Sequence, residues 1–150
     1  MKSISILFVV ISSVIFLSLS GCGDGRARRV PVAGTVTIDG QPLSHGSVTF
    51  MPLATTGESR AGGGSLNENG EFALSSYTPN DGLLAGKYQV MVLAIEPINE
   101  TSQRWHAPQK YSGFKSSGLN FDITEAVSDL KIELTWEDDD DHSAPYVEKF

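Results

Sequence analysis

The sequence predicts an all-β domain, an antiparallel β-sandwich of about seven strands, preceded by a helical signal peptide. Three observations predict it. Apolar residues alternate with period two in several separate segments, turn residues punctuate those segments, and no ten-residue stretch beyond the leader carries a helical stripe. Val30, Val32, Gly34, Val36 and Ile38 alternate first, and Asp39-Gly40 then supplies the residues a tight hairpin turn favours. Ser47 to Phe50 reads as the next strand, with Val48 and Phe50 on one face. Ala61 to Leu74 reads as a second hairpin turning at Asn67-Glu68-Asn69-Gly70, with Phe72 and Leu74 pointing one way. Gly86 to Ala94 is the strongest strand, and its centre is apolar on both faces, as suits a strand buried between layers. Leu119, Phe121 and Ile123 alternate again, as do Leu130, Ile132, Leu134 and Trp136.

Ahead of these strands lies an address. Lys2 gives a minimal positive n-region, and Ile4 to Leu19 is apolar apart from serines, sixteen residues in all. That is close to the upper limit of a signal h-region and just short of a comfortable membrane span. Leu19-Ser20-Gly21-Cys22 follows and resembles the lipobox of bacterial lipoproteins, an aliphatic residue and two small ones before a cysteine. The resemblance implies cleavage before Cys22 and a diacylglyceryl group on its thiol, with further acylation of the new N-terminus. Two or more acyl chains hold a protein firmly at a membrane, where one holds it only marginally. A competing reading is an uncleaved anchor: Arg26, Arg28 and Arg29 outweigh Lys2, and a positive-inside bias would then keep the C-terminal part in the cytoplasm. Gly23 rather than Asp follows Cys22, which by resemblance to the sorting rules of some Gram-negative bacteria puts the outer membrane ahead of the inner.

The expected organisation is a lipoprotein signal peptide over 1–21, a lipidated tether over 22–29, the β domain over 30–136 and an acidic disordered tail over 137–150. The net charge of −7 sits largely in that tail, which holds six acids and one base. No basic patch interrupts the middle of the chain, so nucleic acid is not expected as a partner. Cys22 is the sole cysteine, so no intramolecular disulfide can form and the domain must stand on packing.

The order of motifs carries a resemblance of its own. Val32-Ala33-Gly34-Thr35-Val36, Asp39-Gly40-Gln41-Pro42-Leu43 and Gly46-Ser47-Val48-Thr49-Phe50 resemble the opening of carboxypeptidase regulatory-like domains. Asn69-Gly70-Glu71-Phe72 is similar to their G-x-F hairpin and Leu84-Ala85-Gly86-Lys87-Tyr88-Gln89-Val90 to their G-x-Y-x-V strand. Ala107-Pro108-Gln109-Lys110-Tyr111 and Ser117-Gly118-Leu119 resemble segments of short bacterial lipoproteins built on such a domain. The resemblance spans 30–136 and implies a seven-stranded prealbumin-like sandwich, as in transthyretin, with no catalytic residues and a non-enzymatic role.

Candidate sites are few. The longest irregular stretch, Glu96 to Gly113, holds Trp105, His106, Lys110 and Tyr111, and aromatic and cationic residues on a loop are favoured binding anchors. The competing reading has Trp105 and Tyr111 capping the core. Asp138 to Asp141 with His142 offer hard oxygen ligands that suit calcium, but a flexible tail lacks preorganised geometry, and no metal or other cofactor is expected. Asn67, Asn69 and Gly70 resemble part of a calcium loop whose closing carboxylate would fall on Ser76, so a turn is the better reading. Gly62-Gly63-Gly64-Ser65 lacks the Lys-Ser/Thr of a phosphate loop. No nucleophile elbow, His-Glu-x-x-His helix or spaced cysteine cluster occurs. His45 and His106 are too distant in sequence to judge as a pair. The expectation is therefore a non-enzymatic envelope module facing the periplasm or exterior, with a protein or glycan partner. An accessory subunit pairing through a strand edge comes second, and an envelope-polymer hydrolase third.

Overall fold

Val32, Val36 and their neighbours build the centre of the first sheet. A computed structural model describes residues 27–54 and 57–150; the leader and Cys22 lie outside them. Strand β1 (Val32–Ile38) turns Val32, Gly34 and Val36 inward. Its chain reverses at Asp39 and Gly40, with φ of 47° and 77°, into the short β2 (Gln41–Pro42). Paired positive φ values match the right-handed twist of a two-residue hairpin, which is why Asp-Gly serves there. Strand β3 (Ser47–Pro52) starts a second sheet, pairing with β4 (Gly62–Ser65) on one side and β6 (Gly86–Leu93) on the other. Strand β5 (Glu71–Ala73) returns to the first sheet and pairs with β1.

The segment expected as one hairpin over Ala61–Leu74 thus divides. Its turn forms, since the Asn67 side-chain oxygen accepts the amides of Asn69 and Glu71, each at 2.9 Å. Gly70 takes a φ of 72°. Its arms nevertheless enter different sheets, held together by a single bridge between Gly63 and Ser75. Three glycines in a row allow this, because Gly62, Gly63 and Gly64 have no side chains to hold β4 off β5.

After β6 come β7 (Ile95–Asn99) and β8 (Ser102–Trp105), an antiparallel pair. The stretch expected to be irregular over Glu96–Gly113 therefore contains a hairpin, followed by a 3-10 turn at Gln109–Ser112. Pro97 and the charges on Glu96 and Arg104 break the apolar alternation that would have announced it. Strand β9 (Leu119–Ile123) completes the second sheet beside β6, giving the order β4-β3-β6-β9. Strand β10 (Val127–Leu134) joins the first sheet alongside β1, and the two run parallel. This corrects the expectation of a purely antiparallel domain. Strands 95 residues apart can pair in either sense, and the connection here arrives from the opposite sheet.

A final correction concerns the tail. Residues 137–150 are not all irregular, since β11 (Tyr146–Lys149) pairs antiparallel with β8 and makes a third sheet, β11-β8-β7. Among the described residues there are eleven strand segments in three sheets, and the protein is all-β. The inward faces of the two larger sheets meet in one core. Val36, Val48, Phe50, Leu74, Leu83 and Val90 are fully buried there. Phe50 stands at its centre, with the rings of Phe121, Tyr88 and Phe72 at 5.8, 6.0 and 6.5 Å. Edge and tilted arrangements at these distances suit the quadrupoles of the rings.

Candidate functional site

The four loop residues singled out from sequence fall on both sides of β8. Trp105 closes that strand and is only 8 % exposed. Its indole N–H donates to Glu148 Oε2 of β11 at 2.8 Å. His106 follows just beyond the strand, in a bend, with its side chain turned toward Glu96 of β7. There its Nε2 lies 3.1 Å from Glu96 Oε2, an oxygen that also accepts from Arg104 at 3.1 Å. The His106 ring stacks on His45 with centroids 4.6 Å apart, which joins two histidines distant in sequence. Tyr111 is 3 % exposed and belongs to the core, and its hydroxyl accepts the Thr135 amide at 3.3 Å. Lys110 places its ammonium 4.9 Å from the Tyr111 ring centre. The two aromatic residues are therefore core-capping side chains, as the competing reading of the sequence has it, and they are not exposed anchors.

What assembles instead is a polar cleft of about 540 Å³ between the 3-10 turn and the C-terminal segment, lined by Gln109, Lys110, Asp139, His142, Tyr146 and Glu148. Of the four candidates only Lys110 lines it. Sequence reasoning missed Glu148, the residue that organises one wall. Besides Trp105, its carboxylate accepts from the side-chain amides of Gln103 at 2.9 Å and Gln109 at 3.3 Å. The Trp105 donor foremost, then Gln103, holds the Glu148 carboxyl below its ordinary range. These donors come from β8 and the 3-10 turn, so β11 is drawn onto the domain by partners some 40 residues earlier in the chain. The one local signal was Tyr146-Val147, two good strand formers after Pro145.

The other wall is the aspartate run. Asp139 Oδ1 accepts the amides of Asp141 and His142, both at 3.0 Å, and lies 3.4 Å from His142 Nδ1. Burial alone would raise the Asp139 carboxyl, but these amides and the imidazole outweigh it and hold it low. The His142 ring stacks on Tyr146 with centroids 3.4 Å apart, and Trp136 meets Tyr146 edge-on at 6.3 Å. Burial, with the charges of Asp139 and Glu148, pushes the Tyr146 phenol up. Asp139 thus caps its own backbone rather than facing outward as a ligand. Among the described residues no three His, Cys, Asp or Glu side chains are arranged to hold a metal ion. The cleft sets the carboxylates of Asp139 and Glu148 beside the Lys110 ammonium and the His142 imidazole. Compared with family models, curated proteins and solved structures, the chain matches none.

Proposed function

We propose that this chain is a lipid-anchored, non-enzymatic module of the bacterial cell envelope, a prealbumin-like β-sandwich of the carboxypeptidase regulatory-like kind that binds or supports an envelope protein or glycan. The observation that carries this reading is Leu19-Ser20-Gly21-Cys22, with the only cysteine of the chain directly after an apolar run. The way the chain enters the fold supports it. Arg29 stacks 4.2 Å from the Tyr77 ring centre and lies 3.8 Å from Asp81, while Arg60 approaches the same ring at 4.6 Å. Arg29 is therefore used by the domain rather than held beside a membrane-spanning segment, which weakens the positive-inside objection. The six residues between Cys22 and Arg29 can reach roughly 20–25 Å when extended, so the domain would sit close to the lipid surface.

The pairing of charged groups supports a non-catalytic role. Glu148, Glu96, Asp139 and Asp81 each accept from two or more donors of the fold itself, so their chemistry is committed to architecture. The common core of the two larger sheets supports the sandwich reading. The test is replacement of the thiol. Cys22→Ala is expected to release the protein from membranes and to abolish labelling by palmitate, and labelling that persists in the variant would refute the lipoprotein reading.

A further inference from the structure

Strand β10 is the outer strand of its sheet, with β1 on one side, and among the described residues no strand pairs with its other side. The direction of its backbone groups follows from two contacts. The Asp39 amide donates to the Leu134 carbonyl at 3.0 Å, and the Leu130 carbonyl lies against Gly34. Leu130, Ile132 and Leu134 therefore aim their backbone groups at β1. Alternation from Leu130 onward leaves Lys131 and Glu133 with N–H and C=O pointing outward, whereas a bulge before Leu130, where the Val127 amide donates to Pro31 beside β1, interrupts the alternation at Ser128 and Asp129. The next outward amide, that of Thr135, is taken by Tyr111. The open stretch contains no proline, and its inward side chains are apolar, with Ile132 and Leu134 buried. It lacks the proline and the inward-facing charge that blunt many edge strands, and the bulge lies before Leu130, outside the open stretch from Leu130 to Leu134.

The exposed side chains of this edge, Asp129, Lys131 and Glu133, carry alternating charge. We propose that β10 is the contact between two copies of this chain, which pair antiparallel about a two-fold axis at Ile132. In that register Lys131 of each copy stands opposite Glu133 of the other, so opposite charges meet twice. Both residues point their backbone outward, so each pair exchanges both of its hydrogen bonds. On the inner face Leu130 stands opposite Leu134 and Ile132 opposite Ile132, which makes the apolar rows continuous. Other registers are worse. An axis at Lys131 sets Lys131 against Lys131 and Asp129 against Glu133, and an axis at Glu133 sets two glutamates together. An axis at Leu130 matches Lys131 with Asp129 but places Ile132 opposite Ser128 and breaks the apolar row.

The contact fuses two four-stranded sheets into one and does not depend on the lipid. If both copies carry the anchor proposed above, the two-fold axis stands along the membrane normal and the strands lie in the membrane plane. Only then do both tethers, which leave from opposite ends of the joined sheet, reach the same surface.

The experiment is native mass spectrometry and sedimentation of the full chain extracted in mild detergent. Wild type is expected to be a dimer that dissociates on dilution. Lys131→Glu and Glu133→Lys each set like charges opposite one another twice, and each is expected to lose the dimer. The combined reversal Lys131→Glu/Glu133→Lys restores complementarity and is expected to recover it. Lys131→Pro removes an outward amide without touching the bonds to β1, and is expected to give a folded monomer by circular dichroism. Should the proline variant unfold, the charge reversals still decide. Cys22→Ala separates this contact from co-residence in a micelle, since it is expected to keep the dimer. A monomeric wild type, a dimer indifferent to single reversals, or a double variant that stays monomeric would overturn the proposal.

Discussion

Gly62, Gly63 and Gly64 look interchangeable as letters, yet the packing of β4 separates them. A methyl group on Gly64 would stand 2.6 Å from the Ala73 carbonyl oxygen, backbone that cannot move without displacing β5. On Gly62 it would collide with a methyl of Leu83, itself fully buried. On Gly63 the nearest atom is the Val48 carbonyl oxygen at 3.5 Å, an ordinary contact. Forcing extra volume into a packed site costs about 1–3 kcal/mol, so Gly64→Ala and Gly62→Ala should each fall in that range, with Gly64→Ala the worse. Gly63→Ala should be neutral or stabilising by up to about 1 kcal/mol, because it restricts the unfolded chain at a position whose strand backbone alanine can adopt. Urea unfolding followed by fluorescence reads this directly, as Trp105 and Trp136 are both buried. With a slope of roughly 1–3 kcal/mol per molar urea, the two damaging variants should lower the midpoint by an amount on the order of 1 M. Equal losses at Gly63 and Gly64 would refute the argument that β4 is glycine-rich because it is squeezed between β3 and β5.

Tyr111 is expected to behave as a core residue: Tyr111→Phe should cost about 1 kcal/mol through the lost partner of the Thr135 amide, and Tyr111→Ala about 3–5 kcal/mol, read by the same unfolding curves. Acid should weaken the C-terminal region. Glu148 and Asp139 both ionise below their ordinary values of 4.5 and 3.8 when folded, so their contribution is complete above those values and fades as pH falls through the lower folded ones. Glu148→Gln keeps a side-chain acceptor but removes one of these titrations, so the difference in urea midpoint between about pH 6 and pH 3 should shrink, and an unchanged difference would count against the Glu148 assignment.

Where a strand carries its own pattern, the sequence is readable. Val32 to Ile38, Val48 and Phe50, Tyr88 to Val92, and Ile132 with Leu134 alternate because one face of each meets the same core, and the structure buries Val32, Val36, Val48, Phe50, Tyr88, Val90, Val92, Ile132 and Leu134, with Ile38 half-buried against them. The Asp39-Gly40 turn was equally legible, because positive φ leaves few residues to choose from. Pairing partners were not. Nothing in Val127–Leu134 says that it lies parallel to β1, since parallel and antiparallel ladders bury the same alternate side chains. The C-terminal strand escaped for a different reason. Its neighbours are aspartates, and its stability comes from Trp105, Gln103 and Gln109, whose spatial proximity no local window reveals. For Trp105 the sequence left two readings, core cap or loop anchor, and the Glu148 carboxylate that satisfies its N–H from 43 residues away is what no local window reveals.

The parallel run of β1 and β10 has a mechanical consequence. The chain enters at the Val32 end of β1 and leaves β10 at Leu134, beside Ile38 at the far end. A pull between the segment ahead of β1 and anything gripping the chain beyond Leu134 is directed along both strands in opposite senses. The ladder from Gly34–Leu130 to Ile38–Leu134 is then loaded in shear, all its hydrogen bonds at once, rather than peeled one after another. A domain held at its N-terminus while the surroundings tug on its C-terminal segment is thereby strained along its most resistant direction.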